Sequence, residues 1–124
     1  MSAPDRTIMV VDDDDDLRTL VEGLLRRAGY IVIGAASGHD AQRLALKTLP
    51  ALIIMDIGMP EIDGLTTLWQ MRKHDELATV PVIILTAYDS YDLRGEAVSA
   101  GCQSYLPKPF EPEELKTLVY KLLS

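Results

Sequence analysis

The sequence predicts a doubly wound α/β domain, a five-stranded parallel sheet with helices on both faces. Three observations carry that expectation. Short apolar, β-branched runs alternate five times with stretches whose apolar residues recur at helical spacing. The run at residues 51–55 is apolar throughout, as suits a strand covered on both faces. Several runs end on a polar side chain where the chain must turn, and ligands of open parallel sheets bind along that carboxyl edge.

The first strand is expected at Thr7–Val11, ending on Asp12-Asp13. Leu17, Leu20, Val21, Leu24 and Leu25 then form one face of an amphipathic helix. Its start carries Asp14, Asp15 and Asp16, its last turn Arg26 and Arg27, and Gly29 stops it. Residues 30–36 make the second strand. Ser37 and Asp40 resemble a capping box that opens a helix through Leu49, with Ala41, Leu44, Ala45 and Leu46 apolar. The third strand, residues 51–56, delivers Asp56 to a loop punctuated by Gly58 and Pro60.

Asp63, a helix cap, and Gly64 open a third helix to about residue 76, with Leu65, Leu68, Trp69 and Met71 packed inward. Residues 82–85 form the fourth strand, ending on Thr86-Ala87. A less apolar helix at residues 91–100 is closed by Gly101. The fifth strand, residues 103–106, leads to Lys108-Pro109-Phe110. Glu111-Pro112-Glu113-Glu114 starts the last helix, whose stripe is Leu115, Leu118, Val119, Leu122 and Leu123.

The chain's 124 residues fit one domain, with no output domain expected in it, and 48% hydrophobic with 25% charged residues is ordinary for a folded protein. A formal charge of -7 argues against unaided binding to nucleic acid or anionic membrane. Cys102 stands alone, so no internal disulfide forms, and it suits a small buried filler and a reducing cytoplasm. No apolar run approaches the roughly 20 residues of a membrane span. Residues 1–6 lack the apolar core of a signal peptide.

Gathered at one sheet edge, Asp12, Asp13 and Asp56 would repel one another and hold raised pKa values unless a cation relieved them. Mg²⁺ favours oxygen ligands and keeps several waters. Asp13 and Asp56 are the expected direct ligands, Asp12 reaches through water, and the Gly58 carbonyl offers a further oxygen. The Lys108 ammonium suits a phosphoryl oxygen, and the Thr86 hydroxyl can hydrogen-bond the same group. Metal, ammonium and hydroxyl together describe phosphoryl transfer to a carboxylate nucleophile, Asp56.

With Val11-Asp12-Asp13, Met55-Asp56-Ile57-Gly58-Met59-Pro60, Asp63-Gly64, Leu85-Thr86-Ala87 and Lys108-Pro109-Phe110 in order, the chain resembles a response-regulator receiver domain along essentially its whole length. That resemblance implies the flavodoxin-like strand order 2-1-3-4-5 and a cis peptide bond between Lys108 and Pro109. It implies a phosphohistidine donor, either a histidine kinase or a phosphotransfer protein, that phosphorylates Asp56 with Mg²⁺. Self-catalysed hydrolysis would follow. Thr86 and Tyr105 match the family's switch pair, which would reshape the face made by the fourth helix, fifth strand and fifth helix. The change would be read by a downstream effector, a tethered output domain or a phosphorylation-dependent homodimer. Gly58 and Tyr88 occupy positions that tune phosphate lifetime in the family. Gln103-Ser104 stand where receivers joined to winged-helix domains often carry an acidic pair, and Ala51 replaces a frequent aspartate.

Two other readings compete. A Mg²⁺-dependent phosphohydrolase using Asp56 would need a second carboxylate at position 58, which is Gly58, and a substrate cap. A degenerate receiver serving as a scaffold would not need the full set Asp12, Asp13, Asp56, Thr86 and Lys108.

Overall fold

The computed structural model describes residues 6–59, 61–87 and 90–124. The expectations that rest on Pro60, Tyr88 and residues 1–5 lie outside the described residues. Five strands, β1 (Thr7–Val11), β2 (Ile31–Ala35), β3 (Leu52–Asp56), β4 (Val82–Thr86) and β5 (Ser104–Pro107), form one sheet in the order β2-β1-β3-β4-β5. All four pairings are parallel, as expected. Between and after them run α1 (Asp15–Arg27), α2 (Gly38–Thr48), α3 (Gly64–Met71), α4 (Tyr91–Ser99) and α5 (Pro112–Leu123).

The pleat of the sheet divides the core. Met9, Val11, Ile53, Met55 and Ile84 face α2, α3 and α4, where they meet Ala41, Ala45, Leu68, Met71 and Ala97. Their strand neighbours Ile8, Val10, Leu52, Ile54 and Ile83 face Val21 and Leu25 of α1 and Leu115, Val119 and Leu123 of α5. Each strand of the centre therefore contributes alternate side chains to two separate apolar clusters. β3 and β4 are buried at every position. Such burial explains why their sequences read as unbroken apolar runs rather than as an alternation.

Helix ends follow local chemistry. The Asp14 carboxylate accepts from the N–H groups of Asp16 and Leu17, with acidic residues in the first turn of α1 and basic ones in the last. Ser37 Oγ accepts from the Asp40 N–H at 3.1 Å. Leu49 closes α2 in the left-handed region at φ 49°, since Pro50 disfavours a continued right-handed turn. The Glu114 carboxylate accepts from the Glu111 N–H at 3.0 Å, and Pro112 occupies the first turn of α5.

Two expectations about α3 need correction. The helix ends at Met71 and is followed by a single 3₁₀ turn at Asp75–Leu77, five residues short of the predicted end. Arg72 replaces the missing helical turn: its Nη1 donates to the Leu77 carbonyl at 2.7 Å and its Nη2 to the Gly101 carbonyl at 2.7 Å. Trp69 is 56% exposed rather than packed in the core. The buried positions are 64, 67, 68 and 71, so the stripe runs through Thr67 and leaves Trp69 on the adjoining face. Leu46, expected on the apolar side of α2, is likewise exposed at 37%.

Candidate functional site

Three strand tips meet at the carboxyl edge. Asp12 follows β1, Asp56 is the last residue of β3, and Thr86 is the last residue of β4. The neighbouring tip brings Lys108 directly after β5, with its N–H donating to the Thr86 carbonyl at 2.7 Å. The Lys108–Pro109 peptide bond is cis. Ligand oxygens of Asp12, Asp13 and Asp56 lie within 4.8 Å of one another, an acidic cluster that could hold a metal ion. Lys108 Nζ stands 3.4 Å from Asp56 Oδ2 and 3.5 Å from Asp12 Oδ2.

The donor set suits a hard dication. Three carboxylates against one ammonium leave a net double negative charge, and all the carboxylate donors are oxygens. Asp12 and Asp56 are buried while Asp13 is exposed, so the cluster opens to solvent on the Asp13 side. Burial pushes the Asp12 carboxyl above its ordinary value. The negative charge of Asp56 adds to that rise, and the Asp14 N–H and Lys108 oppose it. Desolvation, more than the crowding anticipated from sequence, is thus what a cation at this site would relieve at Asp12.

The Asp12 and Asp56 carboxylates are held in place by the main chain. Asp12 Oδ1 accepts from the Asp14 N–H at 2.9 Å, and the Asp12 N–H donates to the Ala35 carbonyl at 3.1 Å. The Gly58 N–H donates to Asp56 Oδ1 at 3.3 Å, which leaves Oδ2 turned toward Lys108. Asp63 caps α3, its Oδ1 accepting from the Thr66 N–H at 2.7 Å, as its place before a helix suggested. Thr86 is fully buried at the edge of β4. Tyr105 is partly buried against the cluster beneath α4, and the Arg94 guanidinium lies 5.0 Å from its ring centroid.

Two residues make contacts that were not read from sequence. Arg18 Nη1 donates to the Asp12 carbonyl at 2.7 Å, while Nη2 bonds Asp15 Oδ1 at 2.6 Å. The Arg18–Asp15 pair is readable from its helical spacing; the bond back to the strand tip is not. Gly64 is the other, because a Cβ there would lie 2.2 Å from the Asp56 carbonyl oxygen. A glycine in the first turn of a helix that already has an aspartate cap was the available signal. Beside Lys108, an apolar groove of about 520 Å³ runs between α1 and the loop before α5, lined by Leu17, Leu20, Leu24, Pro109 and Phe110 among others.

Comparison with known proteins agrees with this geometry. The family model of the response regulator receiver domain matches residues 8–120. The transcriptional regulatory protein GltR of Pseudomonas aeruginosa is 37% identical over 123 residues, 99% of this chain and 51% of that protein. The DNA-binding dual master transcriptional regulator RpaA of Synechocystis sp. is 36% identical over 116 residues, 94% of this chain and 48% of that protein. The chain spans about half the length of these two relatives. Among solved structures, the chemotaxis protein CheY4 of Vibrio cholerae superposes with a TM-score of 0.92 at 31% identity, covering 96% of this chain and 99% of that one.

Proposed function

The chain belongs to the response regulator receiver domain family of two-component signalling, and from that premise we propose that Asp56 is its phosphoacceptor. One observation carries the reading: the Lys108 ammonium stands 3.4 Å from Asp56 Oδ2 and 3.5 Å from Asp12 Oδ2, with Asp13 completing the acidic cluster. An Asp56 carboxylate oxygen attacks phosphorus, the phosphorus–nitrogen bond to the donor's histidine breaks, and that nitrogen keeps the electron pair. The donor is a histidine kinase or a phosphotransfer protein. The apolar groove is lined in part by Lys108, the residue 3.4 Å from Asp56 Oδ2, and offers an apolar surface to the donor.

Asp12, Asp13 and Asp56, with the Gly58 carbonyl, would hold Mg²⁺. When bound, the ion supplies positive charge against the phosphoryl oxygens. Lys108 pairs with a phosphoryl oxygen once Asp56 carries the acyl phosphate, and the Thr86 hydroxyl donates to another. Hydrolysis by water then returns Asp56 to its free form, with Gly58 leaving the approach unobstructed. Thr86 and Tyr105 form the switch, altering the face of α4, β5 and α5 as the local charge changes. An effector protein or a tethered output domain reads that face, consistent with the transcriptional regulators among the relatives.

Acetyl phosphate or beryllofluoride with Mg²⁺ should shift the amide resonances of Tyr105 and α4 in the wild type and leave Asp56→Asn unmoved. Mass spectrometry should find one phosphoryl group on the wild type alone. A wild type that takes up no phosphoryl group from any donor would overturn the proposal.

A further inference from the structure

Two residues on neighbouring helices are poor choices for stability, and they border one groove. Gly95 sits in the interior of α4, where a Cβ would meet nothing within 4 Å. Glycine in a helix interior is less favourable than alanine, and no close approach of other chain segments requires it here. Trp69 on α3 leaves 56% of its surface in solvent. Local rules broken without a packing reason mark functional positions.

An open groove of about 690 Å³ lies between α3 and α4 and is lined by Leu65, Trp69, Gly95 and Ala100 together with Asp92 and Glu96. Its apolar lining includes Trp69, Leu65 and Ala100. The ionisable residues that line it are both acidic, in a chain of net charge -7. The indole already attracts a cation, since Lys73 Nζ stands 3.8 Å from its ring centroid. The missing side chain at Gly95 keeps the groove open beside Asp92 and Glu96.

We propose that the α3–α4 groove docks a protein segment that presents arginine or lysine beside apolar side chains. The basic group pairs with Asp92 and Glu96 and stacks on Trp69, and the apolar neighbours cover Leu65 and Ala100. Exposed tryptophans and cation–aromatic stacking are frequent anchors of protein interfaces. This surface lies on the α3 side of α4, and neither Asp56 nor Lys108 lines it.

Trp69 is the chain's single tryptophan, so its fluorescence reports on the groove. The unphosphorylated protein is titrated with an amidated peptide of alternating leucine and arginine, and with a control in which glutamate replaces arginine. A saturable change in emission is expected with the first peptide only. Gly95→Leu fills the groove without changing charge, and leucine favours the helix. It should weaken binding about tenfold or more, as should the double variant Asp92→Asn, Glu96→Gln. No saturable change, or equal affinity in Gly95→Leu, would overturn the proposal, the latter by reducing it to general attraction between an acidic chain and a basic peptide. The titration needs neither Mg²⁺ nor a phosphodonor, so its failure is distinguishable from failure of the phosphoacceptor reading.

Discussion

Gly64 abuts the main chain of Asp56: a methyl group built on its α-carbon would lie 2.2 Å from the Asp56 carbonyl oxygen and 2.9 Å from the Ile57 α-carbon. The Gly64 N–H also donates to the Ile57 carbonyl at 2.9 Å. Helix α3 is therefore seated on the strand tip that carries Asp56. Gly64→Ala must move backbone atoms, and a forced overpacking of this kind costs roughly 1–3 kcal/mol. Chemical denaturation should show that loss. Phosphoryl uptake from acetyl phosphate should slow as well, because the displaced tip carries Asp56 with it.

The acidic cluster places three carboxylates against the one ammonium of Lys108, with Asp12 buried. Asp12→Asn keeps an acceptor for the Asp14 N–H and removes one negative charge. The metal-free variant should melt higher than the metal-free wild type. Added Mg²⁺ should raise the melting temperature of the wild type more than that of Asp12→Asn, since stabilisation by a ligand follows its affinity. Equal Mg²⁺ responses would argue against Asp12 as part of the ion's site.

Arg72 ties three segments at the amino edge of the sheet. Its guanidinium donates to the Leu77 and Gly101 carbonyls, each at 2.7 Å, and to Gln103 Oε1 at 3.1 Å. Gln103 Oε1 also accepts from the Val82 N–H at 2.7 Å, which gives that glutamine a structural role at the start of β4. Arg72→Ala should destabilise the domain by about 3 kcal/mol, given that charged hydrogen bonds contribute about 1.5–3 kcal/mol each and do not add fully. Arg72→Lys should recover little, because the three donors of an ammonium radiate from one nitrogen, whereas these acceptors are reached from two separate nitrogens of the guanidinium.

Burial pushes the Cys102 thiol above its ordinary value of 9.0, with the nearby Arg72 guanidinium partly opposing the shift. The folded state thus favours the protonated thiol. The stability this contributes is complete below 9.0 and is lost as pH rises through the higher folded value. Alkylation of the native protein by iodoacetamide should reach half its limiting rate above pH 9.0. A midpoint at or below that value would contradict the burial argument.

Periodicity made α1 and α5 legible because each packs one stripe on one sheet face, although Leu20, read into the α1 stripe, is 64% exposed. The apolar runs of β3 and β4 were legible for the complementary reason, being buried on both sides. Asp12, Asp13, Asp56 and Lys108 were read together because each follows a strand, and parallel topology alone brings such positions to one edge. Trp69 and the end of α3 were misread. Helix length there is set by Arg72, whose partners include a carbonyl 29 residues away, and no window of sequence displays that contact. Arg18 on the Asp12 carbonyl and Gly64 on that of Asp56 escaped notice likewise, being contacts to backbone atoms that every residue possesses.

The sheet acts as a bulkhead. Leu25 and Leu68 lie in compartments on opposite sides of it, and truncating either to alanine should cost roughly 2–5 kcal/mol. The costs should sum in the double variant, since neither void can be refilled by relaxation from the other side. Each half of the interior is thereby free to diverge on its own schedule, and the carboxylates, seated on the rim where the bulkhead ends, belong to both.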